Sequence, residues 1–369
     1  MKLKIESKKF ILIFISLVLI LSSFTTSLAR GSAPNIQSRA VILMDNATGR
    51  ILFERNSRQR MFPASTTKIV TAILAIQNSQ PNDIVTVTRE AINAVPPGHA
   101  IAPLQPGEEL TIDQLVKLIM VHSANDAANM LAIHIAGSIE AFADMMNEKF
   151  AELGLTDTHF TNPSGTHDPE HFTTAYDLAI IMKYCMQNPN FRQYAGLRSC
   201  TIPPTNRYEE RVFRTTNAML ITDTRVAPDN YFYRYLVGGK TGFTSQAGNC
   251  LVSFASKDGI DLVAVVLGAG ILPGNLSGRF IETRNLFEYG FNNFTLRKLR
   301  ESGSIATTIE VPNATRETKN LNLLISNDIV ALIDREDFNL EFSPEIKIHD
   351  DLSAPIPERQ SCWTNNIYN

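Results

Sequence analysis

In the string PASTTK, residues 63–68, Ser65 stands three positions ahead of Lys68, at the head of the apolar run KIVTAILAI. A lysine carried into such a run is costly unless its charge is paired or its amine is neutral. On a helix the i, i+3 spacing puts Ser65 and Lys68 on one face. A serine hydroxyl alone is a poor nucleophile and needs a base within hydrogen-bond reach. Lysine serves as that base only when deprotonated, and burial or a second cation lowers its pKa in that direction. With Pro63 just before it, the helix is predicted to begin here, so Ser65 falls in the first turn. There, unpaired backbone N–H groups and the positive dipole end favour developing negative charge. The chemistry this predicts is attack by a serine hydroxyl on a carbonyl, with an amine taking the proton.

Two further strings supply what such a reaction needs. GGKTGFT carries Lys240 and Thr241 between Gly239 and Gly242 on a predicted strand. Lys240 is the candidate second cation. Lys240 and Thr241 can also take a substrate carboxylate, and the flanking glycines permit a ligand backbone to approach the strand edge closely. HSANDAAN places Ser123-Ala124-Asn125 between two predicted helices. A second hydroxyl there can relay a proton to a leaving amine, while the Asn125 amide can hold a substrate carbonyl and a lysine together. Taken singly each string has a duller reading: Ser65 as an N-cap, Lys68 as a lysine snorkelling to solvent. The order S-x-x-K, S-x-N, K-T-G, each in its expected element, is what carries specificity. His167 and His171 have H-x-x-x-H spacing, but Pro169 intervenes and the stretch reads as a loop, so packing is favoured over zinc.

The elements that must position these residues follow from pattern. SRAVILMD and RILFERN, joined by NATG, read as a hairpin. STTKIVTAILAIQ is rich in β-branched residues, yet its length favours a buried helix. DIVTVT reads as a short strand in a proline-punctuated stretch. A helical block follows. Thr111 and Gln114 have capping-box spacing, Gly137 and Gly154 are stops, Thr174 opens a helix, and Pro189 is expected to end it. LVGGKTGFT, CLVSFASK and IDLVAVVLGAG then read as an antiparallel meander, and RFIETRNLFEYGF as a closing helix. Strands at both ends with helices between predict an α/β unit: a mostly antiparallel sheet assembled from both chain ends, with an inserted helical lobe. From about Thr295, TTIEV, LNLLISNDIVALI and FNLEFSPEIKI predict a small β-domain, residues 295–369.

Bulk properties narrow the function class. A net charge of −3 with 19% charged residues leaves no basic excess to hold a nucleic-acid backbone. The start, MKLKIESKKFILIFISLVLILSSFTTSLARGSA, has a basic head, an apolar run over residues 10–21 and small residues at Ser27 and Ala29. That is a secretory-signal layout predicting cleavage after Ala29 and work outside the cytoplasmic membrane; the run is short for a span, which needs about 20 apolar residues. Cys185, Cys200, Cys250 and Cys362 are too few for a disulfide scaffold, and no pairing is assigned. Cys250 reads as a small buried residue.

From PASTTKIVTA, HSANDAANMLA, NPSGTHDPEHFTTAYDLA, GGKTGFTSQAGNCLVSFA and SGRFIETRNLFEYGF, the chain resembles the serine D-alanyl-D-alanine carboxypeptidases, the low-molecular-mass penicillin-binding proteins, over residues 40–294. The resemblance implies a penicillin-binding/β-lactamase-like transpeptidase fold, with residues 30–294 as the peptidase domain. It implies Ser65 as the acylated nucleophile, Lys68 as its base, and Ser123, Asn125, Lys240, Thr241 and Gly242 completing the site. An oxyanion hole would use the backbone N–H groups of Ser65 and Phe243, and Arg279 would help hold the terminal carboxylate. The implied substrate is a peptidoglycan stem peptide ending D-Ala–D-Ala, with β-lactams as covalent inhibitors and no metal or organic cofactor. A serine β-lactamase shares this machinery, but the E-x-x-L-N string that class A enzymes use in deacylation is absent between Asn125 and Lys240. A non-catalytic β-lactam or wall-peptide sensor that kept the pocket is the rival from another class. Two departures stand out. Thr216 precedes Asn217 where some relatives carry a basic residue. The tail DDLSAPIPERQSCWTNNIYN leaves the family pattern without a basic-plus-apolar amphipathic helix, so membrane association would rest on an uncleaved leader.

Overall fold

The computed structural model describes residues 33–310, 313 and 320–341. The leader, Cys362 and the atypical tail lie outside the described residues, as does most of FNLEFSPEIKI. The chain divides into two compact units, Pro34–Asn292 and a second that takes in Asn293 onward.

The larger unit is organised by a five-stranded antiparallel sheet of order β2-β1-β9-β8-β7. β1 (Ala40–Asp45) and β2 (Ile51–Arg55) come from the chain start. β7 (Leu236–Thr244), β8 (Gly248–Lys257) and β9 (Ile260–Ala269) come from its far end. Every residue of β1 is buried, as a strand flanked by neighbours on both sides and covered on both faces should be. β9 closes onto β1 with Ile42 opposite Val265, and β7 is left at the edge with one side unpaired. The fold class expected from the sequence, an antiparallel sheet built from both chain ends, is borne out.

The helical lobe lies between β2 and β7. Its axis is α1 (Lys68–Asn78), buried from Lys68 through Ala75, so the β-branched run is helical because it is surrounded rather than because of propensity. Ile69, Val70, Ile73 and Leu74 are each at most 2% exposed. Such side chains contribute about 1.5–3 kcal/mol apiece on burial, the scale needed to hold a lysine amine out of water beside them. Around α1 pack α3 (Ile112–Lys117), α4 (Asn125–Ala136), α5 (Ile139–Ala151), α6 (Ala175–Cys185) and α7 (Pro189–Ala195), and α2 (Arg89–Asn93) packs against α4. The Thr111–Gln114 capping box forms on both sides, and Gly137 closes α4 at φ +86°. Pro189 corrects the sequence reading. α6 has already stopped at Cys185, and Pro189 opens α7 behind the Asn188 cap, where its missing N–H costs nothing. Two antiparallel strand pairs border the lobe: β3 (Ile84–Thr86) with β4 (Glu109–Thr111), and β5 (Ser199–Ile202) with β6 (Arg211–Arg214). After β9, the short strands β10 (Ile271–Leu272) and β11 (Leu276–Ser277) lead into α8 (Gly278–Asn293), the closing helix. The second unit contains β12 (Phe294–Arg300) paired with β15 (Ile329–Asp334), and β13 (Ile305–Glu310) paired with β14 (Asn320–Leu324). Among the described residues no helix is long and apolar enough to cross a membrane. Cys185, Cys200 and Cys250 are free and buried.

Candidate active site

Three segments meet at the open side of β7. Ser65 sits in a 3-10 turn, Ala64–Thr67, that runs directly into α1, rather than in the first α-turn as its spacing predicted. The difference has a local cause. Ala64 has φ +50°, which redirects the chain just before the serine. Among the described residues, six that are not glycine have positive φ. Four are asparagine or aspartate, which tolerate it; Ala64 and Ser123 (φ +66°) are not. Each such residue costs about 1–3 kcal/mol and persists only when its surroundings hold it.

The surroundings of Ala64 are specific. Its carbonyl accepts from Thr67 Oγ1 at 2.9 Å, and Thr67 Oγ1 lies 2.9 Å from His171 Nε2. His171 Nδ1 accepts from the Thr161 backbone N–H, so the ring proton sits on Nε2 and points at Thr67. Burial keeps this histidine neutral, with its pKa pushed down to about 3. His171 therefore belongs to the loop and to the turn that carries Ser65, while His167 packs its ring edge-on against Phe62. Gly165 (φ +78°) closes the packing: a Cβ there would stand 1.9 Å from Ala64 O. Gly165→Ala is expected to cost at least about 2 kcal/mol in urea unfolding, since it combines a disfavoured backbone with a main-chain clash.

Lys68 is 0% exposed. Its Nζ lies 3.1 Å from Ser65 Oγ, 2.5 Å from Asn125 Oδ1 and 2.6 Å from the Ser164 carbonyl. The last two are obligate acceptors and Ser65 Oγ can donate. A neutral amine, with two hydrogens and one lone pair, matches this set. Burial first, then Lys240, drives the Lys68 pKa well below that of an ordinary lysine, against a smaller opposing effect of Asp126.

Ser123 follows a π-helical turn, Leu118–His122, and precedes α4. Its left-handed backbone brings Oγ to 3.0 Å from Lys240 Nζ. Lys240, 1% exposed, also donates to the Thr241 carbonyl at 3.0 Å. Burial and then Arg279 pull its pKa down to about 7. Arg279, at the start of α8, donates from Nη1 to the Gly242 carbonyl at 3.1 Å, while its buried Nε has no partner among the described residues. Gly242 is where β7 passes the nucleophile: a Cβ there would lie 2.9 Å from Pro63 O and 3.0 Å from Ser65 N. Phe243, the next residue, is exposed on the strand. Thr241 Oγ1 lies 2.6 Å from Thr216 Oγ1, so the residue before Asn217 meets β7 through a hydroxyl pair.

Hydrogen bonds thus join Ser65, Lys68 and Asn125 in one group and Ser123, Lys240 and Thr241 in another, and Gly242, bonded to Arg279, passes beside the Ser65 backbone N–H. Sequence reasoning missed the Ser164 carbonyl and Gly165, and it took His171 as a packed loop residue without its link to the turn that carries Ser65, although all three fall within NPSGTHDPEHFTTAYDLA. It also missed His99, whose Nδ1 lies 3.2 Å from Asn125 Nδ2.

The fold is similar to that of penicillin binding protein 5 from Haemophilus influenzae, with a TM-score of 0.73 and 27% identity, covering 90% of this chain and 92% of that one. Fold and site together define a serine peptidase of the penicillin-binding type. Two carboxypeptidases are similar in sequence: D-alanyl-D-alanine carboxypeptidase DacF of Bacillus subtilis (30% identical over 89% of this chain and 80% of its own length) and DacD of Escherichia coli strain K12 (31% over 91% and 83%). The family model for peptidase S11, D-alanyl-D-alanine carboxypeptidase, matches residues 28–270. The chain belongs to this family of serine D-Ala–D-Ala carboxypeptidases, as its sequence motifs implied.

Proposed function

We propose that the chain removes the terminal D-alanine from peptidoglycan stem peptides through an acyl-enzyme on Ser65. The observation that carries this reading is the Lys68 amine, fully buried, 3.1 Å from Ser65 Oγ and held by two acceptors. Lys68 takes the Ser65 proton as the oxygen bonds to the carbonyl carbon of the D-Ala–D-Ala peptide link. The oxyanion is received by the backbone N–H groups of Ser65 and Phe243, a role supported by the close passage of Gly242 beside the Ser65 amide. Ser123 delivers its proton to the departing D-Ala nitrogen and regains one from Lys240, its hydrogen-bond partner; when water later attacks the ester, its proton restores Lys240 and Lys68 returns the other to Ser65 Oγ. Water then cleaves the Ser65 ester, releasing the shortened peptide and the hydroxyl.

Lys240, Thr241 and Arg279 bind the substrate's terminal carboxylate. Lys240 sits near its own titration point in the free enzyme. An arriving carboxylate favours its charged form, and that charge in turn keeps Lys68 neutral. Substrate binding and base activation are coupled through one amine. β-Lactams enter the same cleft and acylate Ser65, and the adduct leaves slowly. The leader supports export, so the reaction takes place outside the cytoplasmic membrane. The test is release of free D-Ala from a pentapeptide ending D-Ala–D-Ala. Peptide binding with no release would favour the sensor reading, and rapid penicillin turnover the β-lactamase reading.

A further inference from the structure

Asn125 is almost fully buried, and its side chain has one acceptor and two donor hydrogens to place. Oδ1 takes Lys68 Nζ at 2.5 Å, and one Nδ2 hydrogen faces His99 Nδ1 at 3.2 Å. An amide nitrogen only donates, so His99 Nδ1 must be the acceptor and the ring proton resides on Nε2. One Asn125 N–H remains.

The loop bearing His99 is fastened from two sides. From α4, the Asn125 backbone N–H donates to the Ala100 carbonyl at 2.8 Å, and the Asp126 carboxylate accepts from the backbone N–H groups of Ala102 (3.0 Å) and Leu104 (3.1 Å). From the β5–β6 side, Arg211 Nη1 donates to the Ala102 carbonyl at 3.1 Å and Tyr208 OH to the Pro103 carbonyl at 2.8 Å. The anchoring holds the imidazole against the amide instead of leaving it to swing in solvent.

We propose that His99 is a positioning residue for acylation: by accepting from Asn125 Nδ2 it fixes the amide so that Oδ1 stays on Lys68 and the remaining N–H serves the acyl-side carbonyl of the bound peptide. Without the acceptor, the amide is free to rotate or flip, and an Nδ2 facing Lys68 would compete for the lone pair that Ser65 needs. The inference rests on the reading of Lys68 as base and Asn125 as its amide partner.

The test compares His99→Leu, which keeps bulk and loses the acceptor, with His99→Asn, whose Oδ1 falls near the position of Nδ1. Acylation by fluorescent penicillin and D-Ala release are followed for both. His99→Leu is expected to lower the acylation rate and kcat about tenfold or more with KM little changed, the order of one hydrogen bond. His99→Asn is expected to remain within about threefold of wild type. Equal loss in both variants, or loss in neither, would overturn the proposal. A measurement on the unsubstituted protein does not depend on either variant folding: imidazole nitrogen NMR should find His99 protonated on Nε2, and a proton on Nδ1 would overturn it. Wild-type labelling at Ser65 is the control that separates the two levels. If Ser65 is labelled and His99 fails its tests, only the positioning role falls; if Ser65 is not labelled, both fall.

Discussion

Ser65→Ala is expected to reduce D-Ala release by at least about 10⁴-fold, the scale lost when a serine nucleophile is deleted from a site whose groups act as a unit. The protein should stay folded. Ser65 is half-buried, and among the described residues its hydroxyl hydrogen-bonds to the Lys68 amine alone, whose other two partners remain. Thermal melting should therefore shift by no more than a few degrees while penicillin labelling disappears. This separates loss of chemistry from loss of fold, which Gly165→Ala does not, because its clash falls on main chain.

Lys240→Met is expected to lower D-Ala release about 10²- to 10³-fold, since it removes the charge proposed to hold the substrate carboxylate and the partner of Ser123 together. Its stability carries the more diagnostic signal. In the folded protein Lys240 releases its proton near pH 7, whereas an unfolded lysine holds its proton to about 10.5. Between those values the unfolded chain binds the extra proton. Wild-type stability therefore falls as pH drops through that window, by up to about 1.4 kcal/mol per unit. The variant lacks this contribution. Chemical unfolding at pH 9 and pH 7 should show the methionine variant gaining about 2 kcal/mol on wild type between the two. An unchanged difference would mean that Lys240 keeps its proton in the fold. The lysine that supports function is thus one that opposes folding at neutral pH, a cost common at sites built for reaction.

What could be read in the sequence was side-chain chemistry at short spacing. Ser65 and Lys68 are three residues apart, Ser123 and Asn125 two, and Lys240 and Thr241 adjacent, so residue type and local period sufficed to nominate them. The sheet was legible too, because Ala40–Asp45 and the meander from Leu236 to Ala269 are apolar strand runs bounded by turn residues. The missing parts are those that side-chain identity does not encode. Ser164 contributes a backbone carbonyl, and it reaches Lys68 from 96 positions away. The left-handed backbones of Ala64 and Ser123 follow from packing by Gly165, Thr67 and the π-turn, not from their own preferences. His171 read as a bare spacing because its partner, Thr67, lies 104 residues earlier. Pro189 was taken as a stop because proline forbids a helix interior, but the same fixed φ suits a first turn, and the Asn188 cap decided between them.

The central claim is that an uncharged amine at Lys68 activates Ser65. Its most direct test is digestion of the penicillin-treated protein with trypsin, followed by mass spectrometry over time. A single adduct on the peptide 61–68, persisting long after free drug is removed and absent from Ser65→Ala, is the predicted result. An adduct on any other peptide, or labelling of Ser65 that proceeds undiminished in Lys68→Met, would contradict it.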